Sequence, residues 1–305
     1  MAHGGNPIFN GKSFRGATQA PPVPQAPYGA PYGQQPYGQA PYGQQPYAQQ
    51  GWGTQPQSMT DDQLRQMYAQ PSAGPADTGR MTFDDVIMKT AACLGAVLVG
   101  AAITLTVGLS LASMLMIVGA LGGFVLALVN TFKKQPSPAL ILAYAALEGL
   151  FLGGLTRILD TQFPGVGLQA VIGTLSVFAV TLLLFKSGKV RATPRAMRFF
   201  MIAIIGYAVF SLVNMVLVWT GAVQEPFGLR TSVEIFGIPL GVFIGLLAIG
   251  LAAFSLIMDF TSIEEGVRNG APQRFSWTAA FGLTVTLVWL YVEIIRLLAI
   301  LRGND

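Results

Sequence analysis

The last two hydrophobic stretches of the chain, together with the polar stretch between them, decide the fold. Residues 255–302 read SLIMDFTSIEEGVRNGAPQRFSWTAAFGLTVTLVWLYVEIIRLLAILR. One apolar run ends at Asp259, a charged loop follows, and a second apolar run contains Glu293. A carboxylate inside a lipid-facing helix costs about 2.5–3.5 kcal/mol, so such an acid usually faces the interior of a bundle and has a function. We therefore expect the rest of the chain to be a scaffold that positions these two acids.

The composition indicates an all-α, polytopic membrane protein. Of the 305 residues, 52% are hydrophobic and only 10% are charged, whereas soluble domains average about 25% charged residues. The formal charge of +4 does not indicate a nucleic-acid partner, because the basic residues lie between hydrophobic segments. The partner that the composition implies is the lipid bilayer.

Cysteine and histidine are too scarce for several kinds of site. Cys93 is the only cysteine and His3 is the only histidine, which excludes an intramolecular disulfide, a thiolate metal cluster and histidine-based catalysis. We expect no enzymatic activity and no cofactor. The first 80 residues contain no hydrophobic region of the kind that a cleavable signal peptide needs.

Residues 1–80 differ in composition from the rest of the chain. Pro-Tyr-Gly recurs at Pro27, Pro31, Pro36 and Pro41, interleaved with Gln and Ala. Too few aliphatic residues are present to offset the entropy of ordering, which predicts a disordered cytoplasmic tail. It is either a weakly associating, partner-binding segment or a solvated extension. The NPIF sequence near its start is a candidate short motif.

Residues 81–305 are predicted to form a seven-helix transmembrane domain. Seven apolar segments have about the 20 residues needed to cross a bilayer. Their predicted bounds are Thr90–Leu109, Ala112–Phe132, Ala139–Leu159, Val166–Phe185, Phe199–Trp219, Ile235–Met258 and Trp277–Leu301. Lysine and arginine concentrate after segments two, four and six. The positive-inside rule then places the N-terminus in the cytoplasm and the C-terminus outside.

Small residues spaced four apart predict close approaches between helices. They occur as Gly119 with Gly123, as Gly149 with Gly153, and as the run Gly237, Gly241 and Gly245. Pro239 lies within the last run and would bend the sixth helix.

Two further charged residues accompany the terminal acids. Glu148 lies in the middle of the third segment, where it is either part of an ion or proton path or a structural hydrogen-bonding group. Arg296 lies three residues after Glu293 and could neutralise it on the same helix face. In that reading the pair serves only membrane insertion.

The motifs resemble a known family. IMDFTSIEEG from Ile257, followed by LVWLYVEIIRLLAILR from Leu287, is similar to the last two helices of the Bax inhibitor-1 family, the transmembrane Bax inhibitor motif proteins. EGLFLGG from Glu148 fits the same family, and the NPIF start resembles its bacterial, uncharacterised subgroup. The resemblance covers about residues 81–302 and implies a Bax inhibitor-like fold in the bacterial plasma membrane.

The resemblance also implies a pair of acids that acts as a proton-sensitive latch on a calcium leak. Asp259 matches the first acid and Glu293 the second, and both would be the ligands of a calcium ion in transit. If the last two helices continue to a tight turn near Ala271, Asp259 lies opposite residue 283. A direct pair then requires an extended connection, or a seventh helix that enters the membrane late, near Gly282.

Two functions remain open at this point. One is a pH-sensitive cation leak channel or transporter, with calcium as the expected ion. The other is a non-conducting regulator that binds a membrane protease or a stress-response partner. An intramembrane aspartyl protease is disfavoured, because no Gly-x-Gly-Asp element precedes Glu293.

Overall fold

Seven long helices dominate the structure, a computed structural model that describes residues 79–188, 190 and 192–303. They are α1 (Phe83–Thr106), α2 (Leu109–Phe132), α3 (Pro138–Gln162), α4 (Val166–Lys186), α5 (Pro194–Trp219), α7 (Leu240–Arg268) and α8 (Ser276–Arg302). A short helix α6 (Leu229–Ser232) and a two-stranded hairpin of β1 (Glu234–Ile235) and β2 (Ile238–Pro239) precede α7, and a 3-10 turn (Gln273–Phe275) precedes α8. The seven long helices are apolar enough to span a membrane, which confirms the predicted fold class. The predictions for the tail and the NPIF motif lie outside the described residues.

Helix α8 is the centre of the bundle. In its most apolar stretch 67% of the residues are buried, whereas α5 has 0% buried in the corresponding stretch. Helices α1, α3, α4 and α7 pack directly against α8. The apolar side chains of α8 are therefore covered by protein, and those of α5 largely face outward. This arrangement fits the expectation that the chain is organised around its last two hydrophobic segments.

Helix α3 packs between α1 and α2 through glycines. A Cβ atom on Gly149 would overlap the carbonyl oxygen of Val97 in α1, and one on Gly153 would lie 2.6 Å from the carbonyl oxygen of Ala101. A Cβ on Gly119 would similarly meet the backbone of α3. Close backbone approach at these glycines is therefore confirmed.

The first helix starts earlier than predicted because Thr82 caps it. The Thr82 hydroxyl accepts a hydrogen bond from the Asp85 backbone N–H at 3.1 Å, and the Asp85 carboxylate accepts one from the Thr82 N–H at 3.3 Å. This capping box starts α1 at Phe83 rather than Thr90. Residues 83–89, which precede the predicted start of the segment, thus form the first two turns of α1.

Residues 79–81 belong to the folded domain. The Met81 N–H donates to the Ala271 carbonyl at 2.7 Å, and the Gln273 N–H donates to the Gly79 carbonyl at 2.8 Å. Met81 is completely buried. This short strap joins the start of α1 to the α7–α8 connection, so the predicted domain boundary at residue 81 falls inside an ordered contact.

The sixth segment differs from its prediction at both ends. Phe236 and Gly237 have φ values of 55° and 77°, as a tight hairpin turn requires, so Gly237 lies outside the helix. Pro239 precedes the first residue of α7 and does not bend it. At the other end α7 continues to Arg268, so Glu264 and Glu265 lie on the helix and not in a loop.

The bundle has two ends. The near end carries the start of α1, the strap and the α7–α8 connection. The far end carries the α3–α4 turn and the end of α8, where Arg302 donates to the Pro164 carbonyl at 2.9 Å.

Candidate functional site

A buried ion cluster surrounds Glu293 in the far half of α8. Glu293 is 1% exposed. Its Oε1 accepts hydrogen bonds from Arg296 Nη1 at 2.7 Å and from the Tyr207 hydroxyl, and Arg230 Nη1 approaches Oε2 at 3.5 Å. We call Glu293, Arg230, Arg296 and Tyr207 the Glu293 cluster. It joins α8 to α5 and to the α5–α7 connection.

Helix α6 positions the Arg230 side chain inside the bundle. Gly228 precedes α6 with φ 63°, and the Asn214 side chain of α5 holds the turn by accepting from the Leu229 N–H at 2.7 Å. On the other side, Gly241 of α7 leaves room: a Cβ there would lie 2.9 Å from the Cβ of Arg230. Arg230 is therefore only 3% exposed, although its place in the sequence is in a polar connection between two membrane helices.

Arg230 has further partners beside Glu293. Arg230 Nη2 donates to the Tyr207 hydroxyl at 3.0 Å and to Ser211 at 3.4 Å, and the guanidinium lies 5.5 Å from the centre of the Tyr207 ring. Arg296 keeps 28% of its side chain exposed. One carboxylate between two guanidinium groups leaves one excess positive charge, and Arg296 is the group that can share it with water.

The other predicted acid, Asp259, lies in a different environment. It is 0% exposed on α7, and its Oδ2 accepts a hydrogen bond from Thr286 Oγ1 of α8 at 2.7 Å. Thr286 itself is 3% exposed. This contact links the two most C-terminal helices inside the near half of the bundle.

Asp259 bonds to Thr286, whereas Glu293 bonds to Arg230, Arg296 and Tyr207. Thr286 and Glu293 are seven residues apart on α8, which is about 10 Å along a helix axis. The residue of α8 that faces Asp259 is therefore Thr286. Thr286 lies about two helical turns closer to the near end than Glu293 does. The direct pair of acids stays a prediction. The predicted Glu293–Arg296 contact is present, with two additional partners.

Glu148 lies on another side of the bundle, between α3 and α2. A Cβ on Gly123 of α2 would lie 2.9 Å from its Oε1. Tyr144, one turn earlier, interacts with its carboxyl and packs edge-on against Phe281 of α8 with ring centres 4.9 Å apart. Tyr144 thus links Glu148 to α8, and the structural role left open by the sequence fits this position.

Sequence reasoning missed Arg230, Tyr207 and Thr286. Arg230 lies in the polar connection after the fifth predicted segment, where only its place in the short helix that follows Gly228 brings it into the bundle. Tyr207 is one of two hydroxyl side chains, with Ser211, in a long apolar run, and Thr286 resembles many helix threonines. The spacing estimate that placed Asp259 opposite residue 283 was the one signal that pointed toward Thr286.

No group of three or more His, Cys, Asp or Glu side chains that could hold a metal occurs within the described residues. A cation beside Asp259 would take its other ligands from hydroxyl groups, carbonyl groups or water, all of which are oxygen donors that calcium accepts.

Comparison with known proteins assigns the chain to a family. Among curated proteins, none matches this sequence closely enough to count as a relative. The model of the Bax inhibitor 1 like family matches residues 6–303, so it extends through the tail as far as the NPIF motif, beyond the range that the motifs alone had indicated. Seven apolar helices and a family match over nearly the whole chain indicate an integral membrane protein with a channel or regulator role. The chain belongs to the Bax inhibitor 1 like family.

Proposed function

We propose that this protein is a pH-sensitive cation leak channel or transporter, with calcium as the expected ion, and not an enzyme. The observation that carries the proposal is the fully buried Asp259 carboxyl, bonded to Thr286 across the contact between α7 and α8. A buried acid in a membrane bundle usually marks an ion or proton path.

Protonation of Asp259 would change this contact directly. An ionised carboxylate only accepts hydrogen bonds and favours hydration, whereas a protonated carboxyl is neutral and also donates. Changing the protonation state therefore changes how strongly Asp259 and Thr286 hold α7 to α8 in the near half. Loosening that contact would admit water and a hard cation, for which the carboxylate and the hydroxyl supply oxygen ligands.

The Glu293 cluster has a different role in this proposal. Its carboxylate is already compensated by two arginines and a tyrosine, so it holds α5, the α5–α7 connection and α8 together in the far half. Ion entry through the near half can then occur without separation of the far half.

Cation flux into liposomes that contain the purified full chain tests the proposal. The wild type is expected to conduct calcium with a rate that depends on pH around neutrality. Asp259→Asn keeps the shape and cannot ionise, so its flux should be independent of pH over that range. Glu234→Gln removes an exposed acid of β1 and should behave as the wild type. An Asp259→Asn profile identical to that of the wild type would refute the role of Asp259.

A non-conducting regulator is the second candidate function. It is favoured by α5, which has 0% of its most apolar stretch buried and therefore offers a long apolar face. A membrane protein partner, such as a membrane protease, would bind there. Absence of cation flux from correctly folded, reconstituted wild type would favour this function over the leak.

We also propose the orientation in which the near end faces the bacterial cytoplasm. Lys133, Lys134 and Lys186 all lie at helix ends on that side, in agreement with the positive-inside rule. In a Cys93→Ala background, a cysteine at Lys186 should be protected from an external thiol reagent and one at Gly303 should react. The reverse pattern would contradict this orientation.

A further inference from the structure

The β1–β2 hairpin carries an aromatic ring at its tip, in a position that does not suit the turn. Ile235 pairs with Ile238, so Phe236 and Gly237 form a two-residue loop, with φ values of 55° and 77°. Two positive φ values in such a loop define a type I′ turn, which favours Asn-Gly, Asp-Gly or Gly-Gly. A phenylalanine with positive φ is strained, because its Cβ atom then comes too close to the carbonyl oxygen. Turn formation therefore does not explain Phe236.

The Phe236 ring is also almost fully exposed. Phe236 is 99% exposed, and the side chains beside it, Val233, Ile235 and Ile238, are 40–43% exposed. Contiguous exposed apolar side chains mark surfaces that bind a protein or a membrane. A strained backbone and an exposed ring at the same residue both point to a contact that Phe236 makes beyond the described part of the chain.

The depth of the hairpin in the bundle identifies that contact. A Cβ atom on Gly241, at the start of α7, would lie 2.6 Å from Ile300 Cδ1. Ile300 is two residues before the end of α8 at Arg302, which is about 3 Å along a helix axis. Trp219, the last residue of α5, is 88% exposed, and tryptophan is typical of the boundary between hydrocarbon and water. The hairpin directly precedes α7 and therefore lies at the level of this boundary.

We propose that the β1–β2 hairpin is a membrane anchor that inserts the Phe236 ring into the leaflet at the far end. The first two turns of α7, which follow the hairpin, expose Phe243 and Leu246. Since α7 is a membrane span, these residues face lipid, and the apolar surface of the hairpin continues theirs. Transfer of the ring from water to the boundary of the acyl chains is favourable and offsets the strain of the turn.

The anchor supports the part of the chain that carries Arg230. Helix α6 ends at Ser232, two residues before β1. The Leu240 N–H donates to the Val233 carbonyl at 2.8 Å and closes the base of the hairpin. Because α6 and the hairpin are so closely connected, attachment of the hairpin to the leaflet fixes the depth at which Arg230 meets Glu293.

Spin labelling tests the position of the hairpin with the full chain in phospholipid bilayers. In a Cys93→Ala background, Phe236→Cys, Ile202→Cys and Glu225→Cys each carry a nitroxide, which is relaxed either by oxygen from the hydrocarbon or by a water-soluble nickel chelate. Ile202 is an exposed residue within the α5 span, and Glu225 is exposed in the α5–α7 connection. Oxygen should relax the Phe236 and Ile202 labels more than nickel does, and the Glu225 label should show the reverse. A Phe236 label that nickel reaches as readily as it reaches Glu225, or that is shielded from both reagents, would overturn the anchor.

Two substitutions separate the anchor from turn propensity. Phe236→Asn supplies a preferred residue of a type I′ turn but removes the ring, whereas Phe236→Trp keeps an aromatic ring that suits the interface. In bilayers, amide hydrogen exchange at Leu240 should be about fivefold faster in Phe236→Asn, as expected when about half of the burial of a phenylalanine side chain is lost. Phe236→Trp should exchange at the wild-type rate. Unchanged or slower exchange in Phe236→Asn would mean that turn formation alone holds the hairpin, and the proposal fails.

Discussion

The buried ion cluster predicts a strong coupling between Arg230 and Glu293. Replacing Glu293 by Leu leaves two guanidinium groups without their carboxylate, and Arg230, 3% exposed, has no route to water. Removing one partner of a buried ion pair costs about 3–5 kcal/mol. Unfolding temperatures change by about 2–4 °C per kcal/mol for domains of this size, so the melting temperature should fall by about 10 °C.

The double variant Arg230→Met with Glu293→Leu should regain much of that loss. Both buried charges are then gone, and apolar replacement of a buried pair is often close to neutral. The Arg296 guanidinium can still reach water, since 28% of its side chain is already exposed. Thermal unfolding of the full chain in detergent, followed by two probes, gives the double-mutant cycle. The expected interaction energy is about 1–3 kcal/mol.

Arg302→Met is the matched control for this cycle. It removes an arginine from the same end of the bundle, and that arginine contacts the Pro164 carbonyl rather than Glu293. Its effect should add to that of Glu293→Leu. If the effects of Arg230→Met and Glu293→Leu are also additive, the cluster does not stabilise the fold as a unit and the reasoning fails.

Two further predictions concern packing. Gly149→Ala should lower the melting temperature because its Cβ would overlap the Val97 carbonyl of α1. The control Gly95→Ala adds a Cβ that meets nothing within 4 Å, so it should be neutral or stabilising by up to about 1 kcal/mol. Equal effects of the two variants in thermal unfolding would contradict the close α1–α3 contact. Deleting residues 1–76 should leave stability unchanged, whereas deleting 1–82 removes the buried Met81 and the Thr82 cap and should cost about 2–4 kcal/mol. Equal melting temperatures for the two deletions would show that the strap is dispensable.

The sequence was sufficient for the number of crossings and for close helix approach at Gly119, Gly149 and Gly153, although not for which helices meet there. Length and apolarity identify a membrane helix with little help from tertiary structure, because the bilayer sets the required length. Glycine spacing predicts close helix contacts for a similar local reason. The ends of helices were less predictable: the cap at Thr82 and the hairpin turn at Phe236 depend on local backbone conformation rather than on hydropathy.

The partners of the acids could not be predicted from spacing alone. Asp259 and Glu293 were assigned to one site because the family resemblance places two acids on the last two helices. Which residues face each other depends on the register between α7 and α8 and on how deeply the α5–α7 connection enters the bundle. Arg230 shows the difficulty, because it is polar and lies in a connection between helices. It reaches Glu293 because Gly228 starts the short helix α6 and Gly241 of α7 leaves room for its side chain.

The position of both contacts on α8 leads to a last prediction about how the near half opens. Thr286 and Glu293 lie on one continuous helix, so the Glu293 cluster restricts how α8 can move away from Asp259. A small tilt about the cluster separates Thr286 from Asp259 while the far-half contacts persist. Glu293→Gln weakens that pivot and should change the size of the cation flux but not its dependence on pH, whereas Asp259→Asn should remove the pH dependence. The double variant should then show the altered size and the flat profile together. If Glu293→Gln by itself flattens the pH profile as Asp259→Asn does, the two acids titrate as one coupled unit, and the direct latch predicted from the sequence replaces the pivot.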